Sequence, residues 1–124
     1  MRSQLEQSAV VWHSLLTEEN KSDLERLQKS ALKIILRENY GGYKQALVKL
    51  GIESLNDRRE DLCLKFAKKC SKHEEAKWMF PINEKTHKMK TRNNEFLKVQ
   101  HANTGRLQKS PLIYMQNLLN SQEQ

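Results

Sequence analysis

A helical pattern between Thr17 and Arg37 constrains the fold of this chain more than any other stretch. Apolar residues recur there at spacings of three, four and three, on one face of a helix: Leu24, Leu27, Ala31 and Ile34. Thr17 is a favourable N-cap for this central helix, and acidic residues follow it in the first turn. Ile35 widens the stripe, so we expect the helix to contact more than one neighbour. The stretch predicts a packing element and indicates no chemistry.

The segment before the central helix, residues 4–16, shows a second helical rhythm. Trp12 fits a core anchor there, and we expect the adjacent His13 to lie at the surface or at an edge of the core. Only a short turn separates this segment from the central helix, which predicts an antiparallel helical hairpin.

Two further helices are marked by the residues at their ends. One is predicted over 43–50, and Gly51 follows it in the position of a C′ glycine. The other is predicted over 55–72, with Ser54 as its N-cap. Its apolar face is expected to comprise Leu55, Leu62, Cys63, Phe66 and Cys70.

Arg58 and Arg59 lie in the first turn of this fourth helix, where cations oppose the helix dipole. Such a pair indicates either carboxylate partners within the fold or contact with phosphate, and we favour the structural ion pairs.

The sequence predicts an all-α fold: a helical hairpin plus two further helices, a long basic loop and a short C-terminal helix. Ser110-Pro111 marks the start of that last helix, with serine as N-cap and proline at the first helical position. At about nine residues the helix is marginal alone and must dock. We divide the chain into a helical body (1–75), a basic loop or arm (76–109) and a C-terminal docking helix (110–124).

The net charge is unevenly distributed along the chain. Residues 1–64 hold ten Lys/Arg and ten Asp/Glu, whereas residues 65–109 hold twelve and four. The formal net charge of +7 therefore comes from one segment. Such a segment favours a polyanionic partner, RNA or DNA bound with low specificity, although a charge run is more often a solvated face.

Residues 82–109 sustain no hydrophobic period, which predicts a basic loop or extended arm. The candidate nucleic-acid-binding residues are Lys85, Lys88, Lys90, Arg92, Lys98, Arg106 and Lys109. The apolar cluster Trp78-Met79-Phe80-Pro81 precedes them. We interpret it as a plug that docks on the helical body, with base stacking as the alternative.

Catalytic and metal-binding patterns are missing from the sequence. Cys63, Cys70 and His73 lack zinc-finger spacing, and the aspartates lie on predicted helices without the adjacent pair that two-metal chemistry needs. We expect no catalytic residue, no metal site, no cofactor and no enzymatic activity.

The two cysteines, seven apart on one helix, are separated by about 10 Å, beyond disulfide reach. Free thiols favour an intracellular chain, cytoplasmic or nuclear. No stretch approaches the roughly 20 apolar residues of a membrane span, so no membrane partner is expected.

An ordered set of short motifs resembles the C-terminal region of reverse transcriptases from LINE-like, non-LTR retrotransposons of the jockey type. The motifs run along nearly the whole chain: Leu5-Glu6-Gln7, Val11-Trp12-His13-Ser14, Leu24-Glu25-Arg26-Leu27, Leu55 with Arg58-Arg59, Thr91-Arg92, Ser110-Pro111-Leu112 and Leu118-Leu119-Asn120. The resemblance implies the helical thumb and post-thumb region, which supports the primer–template.

In that family the polymerase aspartates lie upstream, in the palm, and nothing in this chain matches them. The resemblance therefore implies a non-catalytic fragment, with the remainder of a reverse transcriptase as a further partner. Met1 falls where the family's helix continues, which predicts a truncated element or an internal start. The alternative functions are a helical protein-interaction module and an element remnant without a function of its own.

Overall fold

The computed structural model describes residues 2–82 and 97–122, and this part of the chain is all-α, as the sequence predicted. The chain forms two compact units, unit 1 (Met1–Asp61) and unit 2 (Leu62–Gln124). The α-helices are α1 (Arg2–Glu6), α2 (Ala9–Trp12), α3 (Glu18–Leu36), α4 (Tyr43–Leu50), α5 (Leu55–Lys72), α6 (Gly105–Gln108) and α7 (Pro111–Gln122). Short 3₁₀ turns span His13–Leu15, Arg37–Asn39 and Lys77–Met79. Helix α5 starts in unit 1 and ends in unit 2.

The central helix of the sequence is α3, and its N-cap is confirmed. The Asn20 amide donates to Thr17 Oγ1 at 3.2 Å, which satisfies one of the free N–H groups of the first turn.

The buried face of α3 differs from the predicted stripe. Gln28 and Leu32 are buried, whereas Leu27 and Ile34 are 51% and 73% exposed. The packed face is thus rotated by about one residue, or 100°, around the helix. Gln28 occupies its middle because its Nε2 donates to the Glu53 carbonyl at 3.1 Å, so a buried amide replaces an apolar contact.

The first segment is not the single helix that the sequence predicted. It breaks at Ser8, which has a left-handed backbone (φ 53°). The Trp12 indole Nε1 donates to the Gln7 carbonyl at 2.8 Å and takes an acceptor that a continuous helix would use for its own ladder.

The predicted antiparallel hairpin between this segment and α3 is present in unit 1. Leu5 lines a hollow with Leu32, near the end of α3. Trp12 lines a second hollow with Leu24, near its start. His13, which we expected near the surface, is 2% exposed, because the 3₁₀ turn that follows α2 directs it inward.

Helix α4 has the predicted bounds and the predicted glycine at its end. Gly51 is left-handed (φ 61°), and the Ile52 amide donates to the Leu47 carbonyl at 2.9 Å, the pattern of a Schellman cap. The helix packs against α3 in unit 1. Tyr43 donates its hydroxyl proton to Glu25 of α3.

Helix α5 also has its predicted bounds. Its N-cap is Ser54, whose Oγ accepts from the Asp57 amide at 3.1 Å. Leu55, Cys63 and Cys70 are buried as expected, but Phe66 is 44% exposed. Both cysteines are free thiols.

Unit 2 is held by neutral amides on α7. Gln116, 1% exposed, donates from Nε2 to the Met79 carbonyl at 2.7 Å. Asn120 makes two bonds to the Leu97 backbone, accepting at 2.9 Å and donating at 3.1 Å. Leu97 also forms an isolated antiparallel bridge with Ile82. Helix α7 begins at the predicted proline and has 12 residues rather than nine.

Candidate nucleic-acid interface

The two adjacent arginines of α5 are part of the architecture of unit 1. Arg58 Nε lies 2.6 Å from the Glu6 carboxylate, and this contact raises the pKa of Arg58. Arg59 is fully buried, donates from Nε to His13 Nδ1 at 3.4 Å and stacks over the Trp12 ring at 5.8 Å. The predicted structural ion pair is therefore confirmed for Arg58, and Arg59 is held inside the fold by contacts with His13 and Trp12.

The environment of His13 favours its neutral form. Burial lowers the pKa of His13, the nearby charges of Arg59 and Lys21 lower it further, and Glu60 opposes them. The neutral imidazole keeps Nδ1 free to accept from Arg59. Unit 1 thus places a neutral histidine beside a buried arginine.

The cations of unit 2 are arranged differently. The last three turns of α5 carry four exposed lysines at spacings of three, four and seven from the first: Lys65, Lys68, Lys69 and Lys72. At 100° per residue they lie within an arc of about 100°. Cys63, Ala67 and Cys70 are buried on the opposite side of the helix. We call these four residues the α5 lysine stripe.

The charge balance follows the same division. Unit 1 contains ten Lys/Arg and ten Asp/Glu, and unit 2 contains twelve and five, so the whole net charge of +7 belongs to unit 2. The helix dipole favours cations in the last turn, which explains Lys69 and Lys72 locally. Lys65 and Lys68 lie further from that end, so the dipole explains them less well.

The cations predicted from the sequence fall into two groups. Lys98, Arg106 and Lys109 are exposed in unit 2. Lys98 is brought back to the turn before the basic segment, because its amide donates to the Pro81 carbonyl at 2.7 Å. The other four lie outside the described residues: Lys85, Lys88, Lys90 and Arg92.

The predicted apolar plug is divided by the structure. Phe80 is 3% exposed, as expected for a plug, but Trp78 is 75% exposed. The indole is therefore not a docking group within this chain, which corrects the interpretation for that residue. An exposed indole leaves base stacking as an open role.

This surface can contact phosphates through ammonium and guanidinium groups and can present an aromatic face. Within residues 2–82 and 97–122 there is no cluster of three or more possible metal ligands. Among the described helices, none is long and apolar enough to cross a membrane.

The sequence analysis identifies residues 65–109 as basic but does not name the α5 lysine stripe among the candidate binding residues. The signal was present, since lysines at i, i+3, i+4 and i+7 share one helical face. The pairing of His13 with Arg59 had no such signal, because the two residues are 46 positions apart.

No protein-family model, no curated protein and no solved structure matches the chain. The family resemblance of the sequence therefore stays a prediction.

Proposed function

We propose that this chain is a non-catalytic nucleic-acid-binding module that contacts the phosphate backbone of RNA or DNA through unit 2. The observation that carries the proposal is the α5 lysine stripe, four exposed cations on one helical face in a unit that holds the entire net charge. Protein–nucleic acid affinity is dominated by such phosphate contacts.

The length of the stripe suits a nucleic-acid strand. Lys65 and Lys72 are separated by about 10 Å along the helix axis. A strand of B-form DNA carries one phosphate per 3.4 Å of rise, so the stripe spans about three phosphates. The exposed Lys98, Arg106 and Lys109 of the same unit add cations that can contact neighbouring phosphates.

The resemblance of the sequence supports a more specific form of this proposal. The chain would correspond to the thumb and post-thumb region of a non-LTR retrotransposon reverse transcriptase, whose helices support a primer–template. The parent family is an RNA-directed DNA polymerase, and none of its catalytic residues can be placed on this chain. We therefore propose binding without polymerisation.

A salt titration of oligonucleotide binding tests the proposal. Fluorescence anisotropy of a labelled single strand should report an affinity that falls by about tenfold or more between about 50 and 200 mM salt, given three or more phosphate contacts. An affinity that is independent of salt, or no binding at low salt, would contradict the proposal.

Matched charge variants locate the interface. The test variant neutralises three exposed lysines of α5: K68Q, K69Q and K72Q. The control neutralises three exposed lysines of unit 1: K29Q, K44Q and K49Q. Both have the same net charge, but only the test variant should lower the magnitude of the salt slope, by about 2. An equal loss in both variants would mean that net charge alone governs binding.

A second candidate function, a protein-interaction module, is favoured by one specific observation in unit 1. A half-open apolar hollow of about 200 Å³ is lined by Leu5, Ala31, Leu32, Ile35, Ile52 and Leu55 together with Gln28. Ile34 and Ile35 are 73% and 65% exposed, so this face could receive an apolar helix, such as one from the remainder of a reverse transcriptase. Sedimentation and dye binding test it, because a monomer that binds no hydrophobic dye argues against this function.

A further inference from the structure

The indole of Trp78 is exposed on a turn whose neighbouring groups are held in place. The side chain is 75% exposed, whereas Phe80, two residues later, is 3% exposed. A single exposed apolar side chain is common at a protein surface, whereas one that lies within a larger interaction surface marks a binding site. The surroundings of Trp78 decide between these alternatives.

The backbone around Trp78 is fixed by successive hydrogen bonds. The amides of Ala76, Met79 and Phe80 donate to carbonyls three residues earlier, at 3.0 to 3.1 Å. The Met79 carbonyl in turn accepts from the buried Gln116 amide at 2.7 Å. A prearranged aromatic loses less conformational entropy on binding than one on an unrestrained segment.

Cations lie close to Trp78 along the chain. Lys77 precedes it and contacts Glu74 at 3.4 Å, an exposed pair that solvent screens. Lys72 ends α5 six positions earlier. Pro81 follows Trp78 by three positions, and its carbonyl accepts a 2.7 Å hydrogen bond from the Lys98 amide, which brings Lys98 to this turn. Proteins that bind single strands without sequence preference combine two features: cations that contact the sugar–phosphate backbone and an aromatic side chain on which a base stacks.

We propose that Trp78 stacks on an unpaired base, so that the basic surface of unit 2 prefers single-stranded nucleic acid to duplex. The inference depends on the proposed function and names its substrate class. In a duplex the bases stack on one another and offer no face to the indole, whereas unstacked bases can pair with an aromatic side chain.

Three probes separate the inference from the proposed function. The full chain is titrated with a thymidine homopolymer, with a duplex of the same length, and with heparin, a polyanion without bases. We expect the single strand to quench tryptophan emission and to bind more tightly than the duplex. Heparin should bind in a salt-dependent manner without quenching.

Substitution of Trp78 provides the decisive comparison. W78A should weaken binding of the homopolymer by about five- to a hundredfold and leave heparin binding unchanged. W78F retains an aromatic ring and should keep most of the preference for single strands. W12F removes the other tryptophan, so the quenching signal can be assigned to Trp78. If W12F does not fold, the difference spectrum between the natural chain and W78F gives the same assignment.

The outcomes distinguish the two claims. Salt-dependent binding of all three probes with equal affinity, unchanged in W78A, would overturn the single-strand inference and leave the proposed function intact. Equal losses of heparin and homopolymer binding in W78A would also overturn it, since Trp78 would then have a structural role. No binding to any probe at low salt would overturn both.

Discussion

Unit 1 and unit 2 hold similar numbers of cations, ten and twelve, but the cations have different environments. In unit 1, Arg59 is fully buried with His13 and Trp12, and Arg58 contacts a Glu6 carboxylate whose side chain is 10% exposed. Equal numbers of acids and bases make these internal pairings possible. Two of the ten cations of unit 1, Arg58 and Arg59, are therefore structural.

In the described part of unit 2, the side-chain contacts of α7 are made by neutral amides, as Gln28 does in unit 1. Gln116 and Asn120 bind backbone groups of Met79 and Leu97. A neutral amide is cheaper to bury than a charge, provided that its hydrogen bonds are made. The lysines of α5 are left at the surface, where they can contact an external polyanion. The two units thus differ in their cations: the arginines of unit 1 at the start of α5 are in internal contacts, whereas the lysines of α5 in unit 2 are exposed.

The largest loss of folding stability is expected when the buried charge of Arg59 in unit 1 is removed. Arg59→Ala should lower the free energy of unfolding by about 3 kcal/mol, because it leaves a cavity beneath Trp12 and removes the donor to His13. Urea denaturation measures the change. Arg26→Ala is the matched control, since Arg26 pairs with Asp23 at the surface and should cost less than about 0.5 kcal/mol. Equal effects would contradict a structural role for Arg59.

A neutral substitution should destabilise unit 2. Gln116→Leu removes the buried donor to the Met79 carbonyl, at an expected cost of about 1–3 kcal/mol. Asn117→Leu, at the next and exposed position of α7, serves as the control and should be close to neutral. Thermal unfolding with both variants checks this. A stable Gln116→Leu protein would mean that unit 2 does not depend on its buried amides.

The N-cap of α3 is expected to make a smaller contribution. Thr17→Ala should cost about 1 kcal/mol because the Asn20 amide loses its acceptor. Thr17→Ser keeps the oxygen and should restore most of the stability. The same denaturant titration measures both, and an Ala variant as stable as the Ser variant would show that the cap is dispensable.

The pH dependence of unit 1 gives a further test. The fold lowers the pKa of His13 from its ordinary value of 6.5. As the pH falls below 6.5, the unfolded chain therefore binds a proton at His13 before the folded chain does. Stability contributed by neutral His13 is complete above that pH and declines below it. His13→Gln should flatten this part of the stability profile, whereas His101→Gln, at an exposed position, should not. An unchanged profile in His13→Gln would assign the decline to other groups.

Features of the fold that depend on residues close together in the sequence were predictable, whereas those that depend on residues far apart in the sequence were not. The bounds of α4 and α5 and the start of α7 depend on caps within a few residues, such as Ser54 and Gly51, and all were predictable. The buried face of α3 depends on Gln28 reaching Glu53, 25 positions away, and periodicity alone placed it one residue off.

The candidate site shows the same limit. The basic character of the second half of the chain could be counted, and the lysine spacing on α5 could have been read directly. The exposure of Trp78 could not have been predicted. It depends on the burial of Phe80 and on the hydrogen bond from Gln116 to the Met79 carbonyl, and these two residues are 37 positions apart. Apolar composition alone grouped Trp78 with Phe80.

We expect the polyanion to bind to unit 2 and not to unit 1. Amide NMR of the full chain, titrated with a thymidine homopolymer at low salt, tests this residue by residue. The largest chemical-shift changes should fall on the end of α5, residues 65–72, and on the turn that carries Trp78, while α3 is unchanged. Changes centred on α3, or none in either unit, would contradict it.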